Sequence, residues 1–190
     1  MNDIPGYLSE VDSQVLHNLA SAINKKGSII VELGSLHGKS SSILSKACPE
    51  GKLYCIDPWW GFDSSVKGID ADDAKSKGWP TPGTRNTVEF FLENTKDCKN
   101  ITPIKTASPN GLGDLRLDCD LVFLDAAHTN PSDRANIDFW LPMVKKGGVF
   151  AGHDYSTSWP DVMENVNFLK GKLGKEPILT PGSSIWYFYV

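Results

Sequence analysis

The sequence predicts a single α/β domain built on a mostly parallel β-sheet with helices on both faces. Three observations lead there. Short apolar, β-branched runs alternate with helical stretches in five successive steps; the first run closes on a glycine turn that opens a helix; and the C-terminal residues read as two strands joined by a turn. The 190 residues, 40% of them hydrophobic, fill one core and are too few for two ordinary domains.

A first helix is expected around Val11 to Asn24. The run Ser28-Ile29-Ile30-Val31-Glu32-Leu33 then reads as a buried strand, because it is β-branched and ends on Gly34. Gly34-Ser35-Leu36-His37-Gly38-Lys39-Ser40 turns into a helix that lasts to about Cys48, and Lys52 to Ile56 forms a second strand ending at Asp57. Strand, glycine turn, helix and strand make one βαβ unit. Residues Pro58 to Gly83 break the rhythm with Trp59, Trp60, Phe62, an Asp/Lys-rich stretch and Trp79-Pro80-Thr81-Pro82, and read as a partly helical insertion or lid.

Beyond it, Arg85 to Asp97 is expected to be helical with Val88, Phe91 and Leu92 inward, and Ile101 to Lys105 is a third strand. Asp120-Leu121-Val122-Phe123-Leu124-Asp125 has the pattern of a fully buried strand. Ser132 to Val144 follows as a helix with Ile137, Trp140 and Leu141 on one side, its last turn disturbed by Pro142. Gly147 to Gly152 enters a fifth strand that ends at His153-Asp154, and a further helix runs from near Trp159 to Leu173. Pro177 to Thr180 and Ile185 to Val190 flank the turn Pro181-Gly182-Ser183-Ser184 as a closing strand pair; the aromatic ending serves either the core or a subunit contact in a homo-oligomer.

Composition narrows the function. A formal net charge of -4 and the lack of a Lys/Arg run disfavour a nucleic-acid partner. The first residues carry neither a basic start nor an apolar leader segment, and no apolar stretch is long enough to span a membrane, so a cytoplasmic protein is expected. Cys48, Cys55, Cys98 and Cys119 show neither a CxxC pair nor zinc spacing and read as small reduced core residues.

In an open parallel sheet, ligands bind beyond the carboxyl ends of the strands. That rule gathers Glu32 and the Gly34 to Gly38 loop from the first strand, Asp57 from the second, Asp125 to His128 from the fourth, and His153 with Asp154 from the fifth. Gly34 and Gly38 have no Cβ to obstruct a sharp turn or a close ligand. Asp57 stands 23 residues beyond Gly34 at the next strand end, where a carboxylate can accept hydrogen bonds from both hydroxyls of a ribose. The pair points to adenosine binding, although the loop is not GxGxxG.

Four ordered motifs carry a family resemblance: Val31 to Ser40, Ile56-Asp57, Phe123-Leu124-Asp125-Ala126-Ala127-His128, and Gly147 to Tyr155. Together they resemble the class I S-adenosylmethionine-dependent methyltransferases. They are similar, more closely, to the metal-dependent O-methyltransferases of sugars and antibiotics, such as the macrocin and cephalosporin-pathway enzymes. The resemblance implies a single-domain Rossmann-like methyltransferase fold, with a mostly parallel seven-stranded sheet and a C-terminal antiparallel hairpin. It also implies S-adenosyl-L-methionine as cofactor and a small-molecule acceptor.

For the matching positions it implies that Gly34, Ser35, Gly38 and Ser40 lie in the loop against the methionine part of the cofactor, with Glu32 near its amino group, Asp57 on the ribose and Ser108 beside the adenine. Asp125, His153 and Asp154 take the positions that hold a divalent metal, magnesium or another divalent cation. His153 departs from the adjacent acidic or amide oxygen ligands usual there; imidazole suits zinc, iron, nickel or copper better than magnesium. Either the metal differs, His153 is not a ligand, or the site works without metal. His128, in the pattern Asp-x-x-His with Asp125, is implied as general base, suited to take the acceptor's proton. Its other reading is a helix cap or backbone partner, and His37 reads as an ordinary turn residue.

Trp59-Trp60-Gly61-Phe62 either covers the cofactor or acceptor or packs the insertion. A nicotinamide-dependent oxidoreductase and a non-catalytic S-adenosylmethionine-binding module are the rival functions. Methylation of nitrogen, or of a macromolecule, is a third.

Overall fold

A computed structural model describes residues 4–59 and 87–190, so all but the first two residues of the expected insertion, with Trp60 and Phe62, lie outside the described residues. Helix α1 (Glu10–Ala22) is followed by β1 (Ile29–Leu33), α2 (Lys39–Ala47), β2 (Lys52–Asp57), α3 (Thr87–Asn94), β3 (Ile101–Lys105), β4 (Cys119–Leu124), α4 (Ser132–Trp140), β5 (Val144–Gly152), α5 (Pro160–Leu173), β6 (Ile178–Leu179) and β7 (Trp186–Tyr189). The seven strands form one sheet in the order β3-β2-β1-β4-β5-β7-β6. β1 to β5 pair in parallel, whereas β7 runs antiparallel to both β5 and β6.

Alternation along each strand sends its side chains into two cores. Ile30, Leu53, Cys55, Leu121 and Phe123 pack with Leu16, Leu19, Leu44 and Phe91 of α1, α2 and α3. Val31, Leu33, Ile56, Val122 and Phe150 pack on the other face with Ile137 and Trp140 of α4, Val166 and Leu169 of α5, and Trp186 and Phe188 of β7. The aromatic C-terminal strand therefore supplies core, with Tyr189 exposed. All four cysteines are free thiols; Cys48, Cys55 and Cys119 are buried and Cys98 is partly exposed. No helix among the described residues is long and apolar enough to cross a membrane.

Some boundaries differ from expectation for local reasons. Pro142 ends α4 at Trp140 and leaves a short 3-10 turn, Leu141–Met143, so Val144 opens β5 instead of closing a helix. Leu92 was expected inward but is exposed, because Phe91 alone takes the core position on that turn of α3. Pro103 is accommodated because β3 is an edge strand.

Chain direction fixes where a ligand can bind. β1 leads to β2 on one side, while β4 lies on its other side, so the order reverses between β1 and β4. A crevice opens at such a switch point, beyond the strand ends.

Candidate active site

A cavity of about 600 Å³ lies at that crevice, lined by Gly34, Ser35 and Ser40 after β1, Asp57 after β2, Ser108 after β3, Asp125 and His128 after β4, and His153 and Asp154 after β5. Its size is within the usual range for small-molecule sites. Nearly every residue singled out in the sequence thus converges on one space, the exceptions being Glu32 and Gly38.

Glu32 is fully buried beneath the loop, outside the cavity lining, and its carboxylate accepts a hydrogen bond from the Ser41 hydroxyl. Burial raises its pKa, with Ser35, Ser40, Ser41 and Cys55 opposing the shift. It braces the loop from below. Gly38 is also set back, and the two glycines are required by packing: a Cβ on Gly34 (φ +91°) would lie 1.9 Å from the Asp125 carbonyl oxygen, and one on Gly38 (φ +90°) 2.6 Å from Thr95.

Asp57 organises the loop rim. Its Oδ2 accepts from the Leu36 N–H at 3.0 Å and its Oδ1 from the Trp59 N–H at 2.6 Å. Burial pushes its pKa up and the two N–H groups pull against that. Each oxygen keeps a lone pair for a further donor. The Trp59 indole N–H donates to the Leu36 carbonyl at 2.8 Å and its ring lies 4.9 Å from Phe91. Trp59 is therefore a buried clamp on the loop that also forms cavity wall. His37 is buried against the Phe90 ring, and burial lowers its pKa to about 4. Ser108 Oγ accepts from the Trp140 indole N–H at 2.9 Å, which leaves its own proton to donate.

At the other end, two imidazoles flank two carboxylates. His128 Nε2 is 3.0 Å from Asp125 Oδ1 and 3.0 Å from Asp154 Oδ2. His153 Nδ1 is 3.3 Å from Asp154 Oδ2 and 3.7 Å from Asp125 Oδ1. Burial would lower both histidine pKa values, but the carboxylates outweigh it and raise His128 to about 10 and His153 to about 12. The carboxyls of Asp125 and Asp154 are held below their usual range by the same contacts, against the effect of burial. Asp125, His128 and Asp154 present ligand atoms within 4.8 Å of one another. The metal-capable cluster thus includes His128, which was expected only as a base, while the far nitrogen of His153 is turned away from it. His128 is not a helix cap; with φ at 58° its ring is aimed at the carboxylates.

Three contributors were not legible in the sequence. His153 Nε2 lies 2.8 Å from Ser184 Oγ and 3.4 Å from Asp12 Oδ2, partners from the loop before β7 and from α1. The Trp159 ring lies 4.8 Å from that of His128 and lines the cavity. Ser9 and Asp12 form a capping box that marks the start of α1, and Pro160 marks that of α5, but neither signal names a partner on another element.

This fold and strand-end site define a methyltransferase domain of the class I type. The chain belongs to the family described as "Methyltransferase domain", whose model matches residues 31–155. An uncharacterized protein of Acanthamoeba polyphaga mimivirus is 27% identical over an alignment of 165 residues that covers 80% of this chain and 64% of that one. The chain therefore spans less than two thirds of that relative. Among solved structures, the O-methyltransferase NovP superposes with a TM-score of 0.68 at 15% identity, over 93% of this chain and 78% of that one. A precorrin-6y methyltransferase from Geobacter metallireducens gives 0.62 at 16% identity, over 100% and 88% of the two chains. The calicheamicin methyltransferase gives 0.64 at 13%, over 99% and 83%. At these identities the likeness is one of fold.

Proposed function

We propose that this chain is an S-adenosylmethionine-dependent O-methyltransferase that modifies a hydroxyl of a small molecule, with a divalent cation held between Asp125 and Asp154. The observation that carries the reading is the convergence, in one cavity, of a loop and carboxylate suited to an adenosyl cofactor with an imidazole–carboxylate cluster suited to deprotonating an acceptor.

The residues present fit the cofactor. Asp57 offers a free lone pair on each oxygen to ribose hydroxyls, Ser108 a spare donor, and the start of α2 its unpaired N–H groups to a carboxylate. The Asp125 and Asp154 oxygens fit a cation's preference for hard donors. When bound, such a cation supplies Lewis-acid stabilisation of charge developing on the acceptor oxygen.

The chain's own side chains do the rest. Nε2 of His128 donates to Asp125 and Asp154 at 3.0 Å each, which fixes the ring's orientation; the acceptor's proton goes to Nδ1, which requires His128 to enter the reaction neutral. Trp159 packs beside the His128 ring and offers the acceptor a flat apolar wall. The loop and the strand ends would hold cofactor and acceptor next to each other, and such positioning contributes to the rate. The negative net charge favours a small acceptor over a nucleic acid.

His128→Ala tests the reading: turnover with a panel of hydroxylated acceptors should fall by at least about 100-fold, the usual range for a lost general base, while S-adenosylmethionine affinity by calorimetry stays unchanged. Unchanged turnover would remove His128 from the chemistry. Displacement of S-adenosylmethionine by nicotinamide dinucleotides would favour the oxidoreductase instead.

A further inference from the structure

The two imidazoles at the carboxylate pair are not equivalent. His128 lies at the cavity beside Trp159, and among the described residues only the two carboxylates hold its ring by hydrogen bonds. His153 is deeper, only 5% exposed, and is gripped at the nitrogen facing away from the carboxylates by Ser184 Oγ at 2.8 Å and Asp12 Oδ2 at 3.4 Å. Asp12 is itself fixed. Its Oδ1 accepts from the Ser183 hydroxyl at 2.7 Å and the Ser184 N–H at 2.9 Å, and its Oδ2 from the Ser9 N–H at 3.1 Å in the α1 capping box. Both residues that grip His153 lie outside residues 31–155, the stretch matched by the family.

A carboxylate can only accept, so Asp12 keeps a proton on Nε2 of His153. The other nitrogen, Nδ1, is 3.3 Å from Asp154 Oδ2 and 3.7 Å from Asp125 Oδ1, and a cation entering between these carboxylates displaces the proton that Nδ1 gives them and takes its lone pair. Ligands at about 2.0–2.1 Å from a cation stand about 2.9 Å apart at the edge of an octahedron and about 3.3 Å apart at the edge of a tetrahedron. The 3.3 Å separation matches the second and the 3.7 Å one is slightly longer.

We infer that Asp12 is a positioning residue: it fixes His153 as a nitrogen ligand beside Asp125 and Asp154, and so biases the site toward a transition-metal dication over magnesium, leaving His128 to handle the proton. The inference rests on the proposed metal-assisted methyl transfer, but it concerns metal choice alone. One nitrogen and two carboxylates suit manganese, cobalt or zinc, whereas magnesium favours oxygen throughout. The carboxylate–histidine–metal arrangement gives the buried acid of α1 a role beyond its capping box.

The test uses the full chain, stripped of metal, titrated with cobalt, zinc, manganese or magnesium chloride alone and without S-adenosylmethionine. Cobalt and zinc should bind at one equivalent at least 100-fold tighter than magnesium, and the cobalt visible spectrum should carry nitrogen-ligand bands that His153→Ala abolishes. Asp12→Asn should weaken cobalt binding by about 10- to 100-fold, the range typical of an outer partner, and leave S-adenosylmethionine affinity unchanged. Ser184→Ala, which spares the α1 cap, should weaken it in the same direction if Asp12→Asn does not fold. His153→Asp should narrow the cobalt-to-magnesium ratio at least 10-fold. Equal affinity for magnesium and cobalt, or a cobalt spectrum untouched by His153→Ala, overturns the inference while leaving methyl transfer standing; metal selectivity as stated with no methyl transfer to any acceptor sinks the functional proposal instead.

Discussion

Gly34 couples the fold to the site, and Gly34→Ala measures that coupling. The residue has φ +91°, and a Cβ there would stand 1.9 Å from the Asp125 carbonyl oxygen, where ordinary contact begins near 3.4 Å. Two costs add. The left-handed backbone costs alanine about 1–2 kcal/mol, and relieving the overlap means parting the ends of β1 and β4, an overpacking cost of about 1–3 kcal/mol. Gly27→Ala isolates the first cost, since Gly27 has φ +88° and nothing within 4 Å of its added Cβ. At about 2–4 °C per kcal/mol for a chain of this size, Gly34→Ala should lower the calorimetric Tm by about 4–20 °C and Gly27→Ala by about 2–8 °C. Only the first should also weaken S-adenosylmethionine binding, because it displaces Asp125. Equal Tm losses in the two variants, or full cofactor affinity in Gly34→Ala, would refute the claim that β1 and β4 meet too closely at the site for any side chain.

Asp57→Ala removes the acceptor of the Leu36 and Trp59 N–H groups and the proposed ribose partner, so S-adenosylmethionine affinity by calorimetry should fall at least about 10-fold, the equivalent of one lost charged hydrogen bond; retained affinity would place the ribose elsewhere. His128 and His153 have folded pKa values raised to about 10 and about 12 from 6.5. Their contribution to stability is therefore fully present below pH 6.5 and is lost as pH rises toward and through those values. In the chelated protein the Tm should fall between pH 7 and 10, and Asp154→Asn should flatten that fall; parallel profiles would disconnect Asp154 from the histidines. Gly171 sits in α5 with open space around its missing Cβ, so Gly171→Ala should stabilise by about 0.5–1 kcal/mol and raise the Tm measured by circular dichroism. A lowered Tm would mean that the position is packed.

β1, β2 and β4 were legible because each is a short, largely apolar run bounded by glycine or a charged residue, a pattern set by local chemistry and burial. Strand ends were legible for the same reason, and with them Asp57, Asp125, His128, His153 and Asp154, since parallel topology brings those ends to one rim. Pro142 shows the limit of periodicity: the apolar spacing continues past Trp140, but a missing N–H donor stops the helix regardless.

Which role each strand-end residue plays depended on contacts between distant segments. Glu32 pairs with Cys55, two residues short of Asp57 on the neighbouring parallel strand, and that difference in level put one beneath the loop and the other at the cavity. Asp12 reads in sequence as half of a capping box, complete in itself. The packing of α1 and the β6–β7 turn against the end of β5 gave it a second partner in His153. A sequence alone therefore determined the βα order and the residues at the strand ends, because propensity, burial period and turn chemistry act within a few residues. Tertiary structure decided the hydrogen-bond pairing of those residues, because imidazole and carboxylate orientations are set by neighbours that chain spacing does not encode.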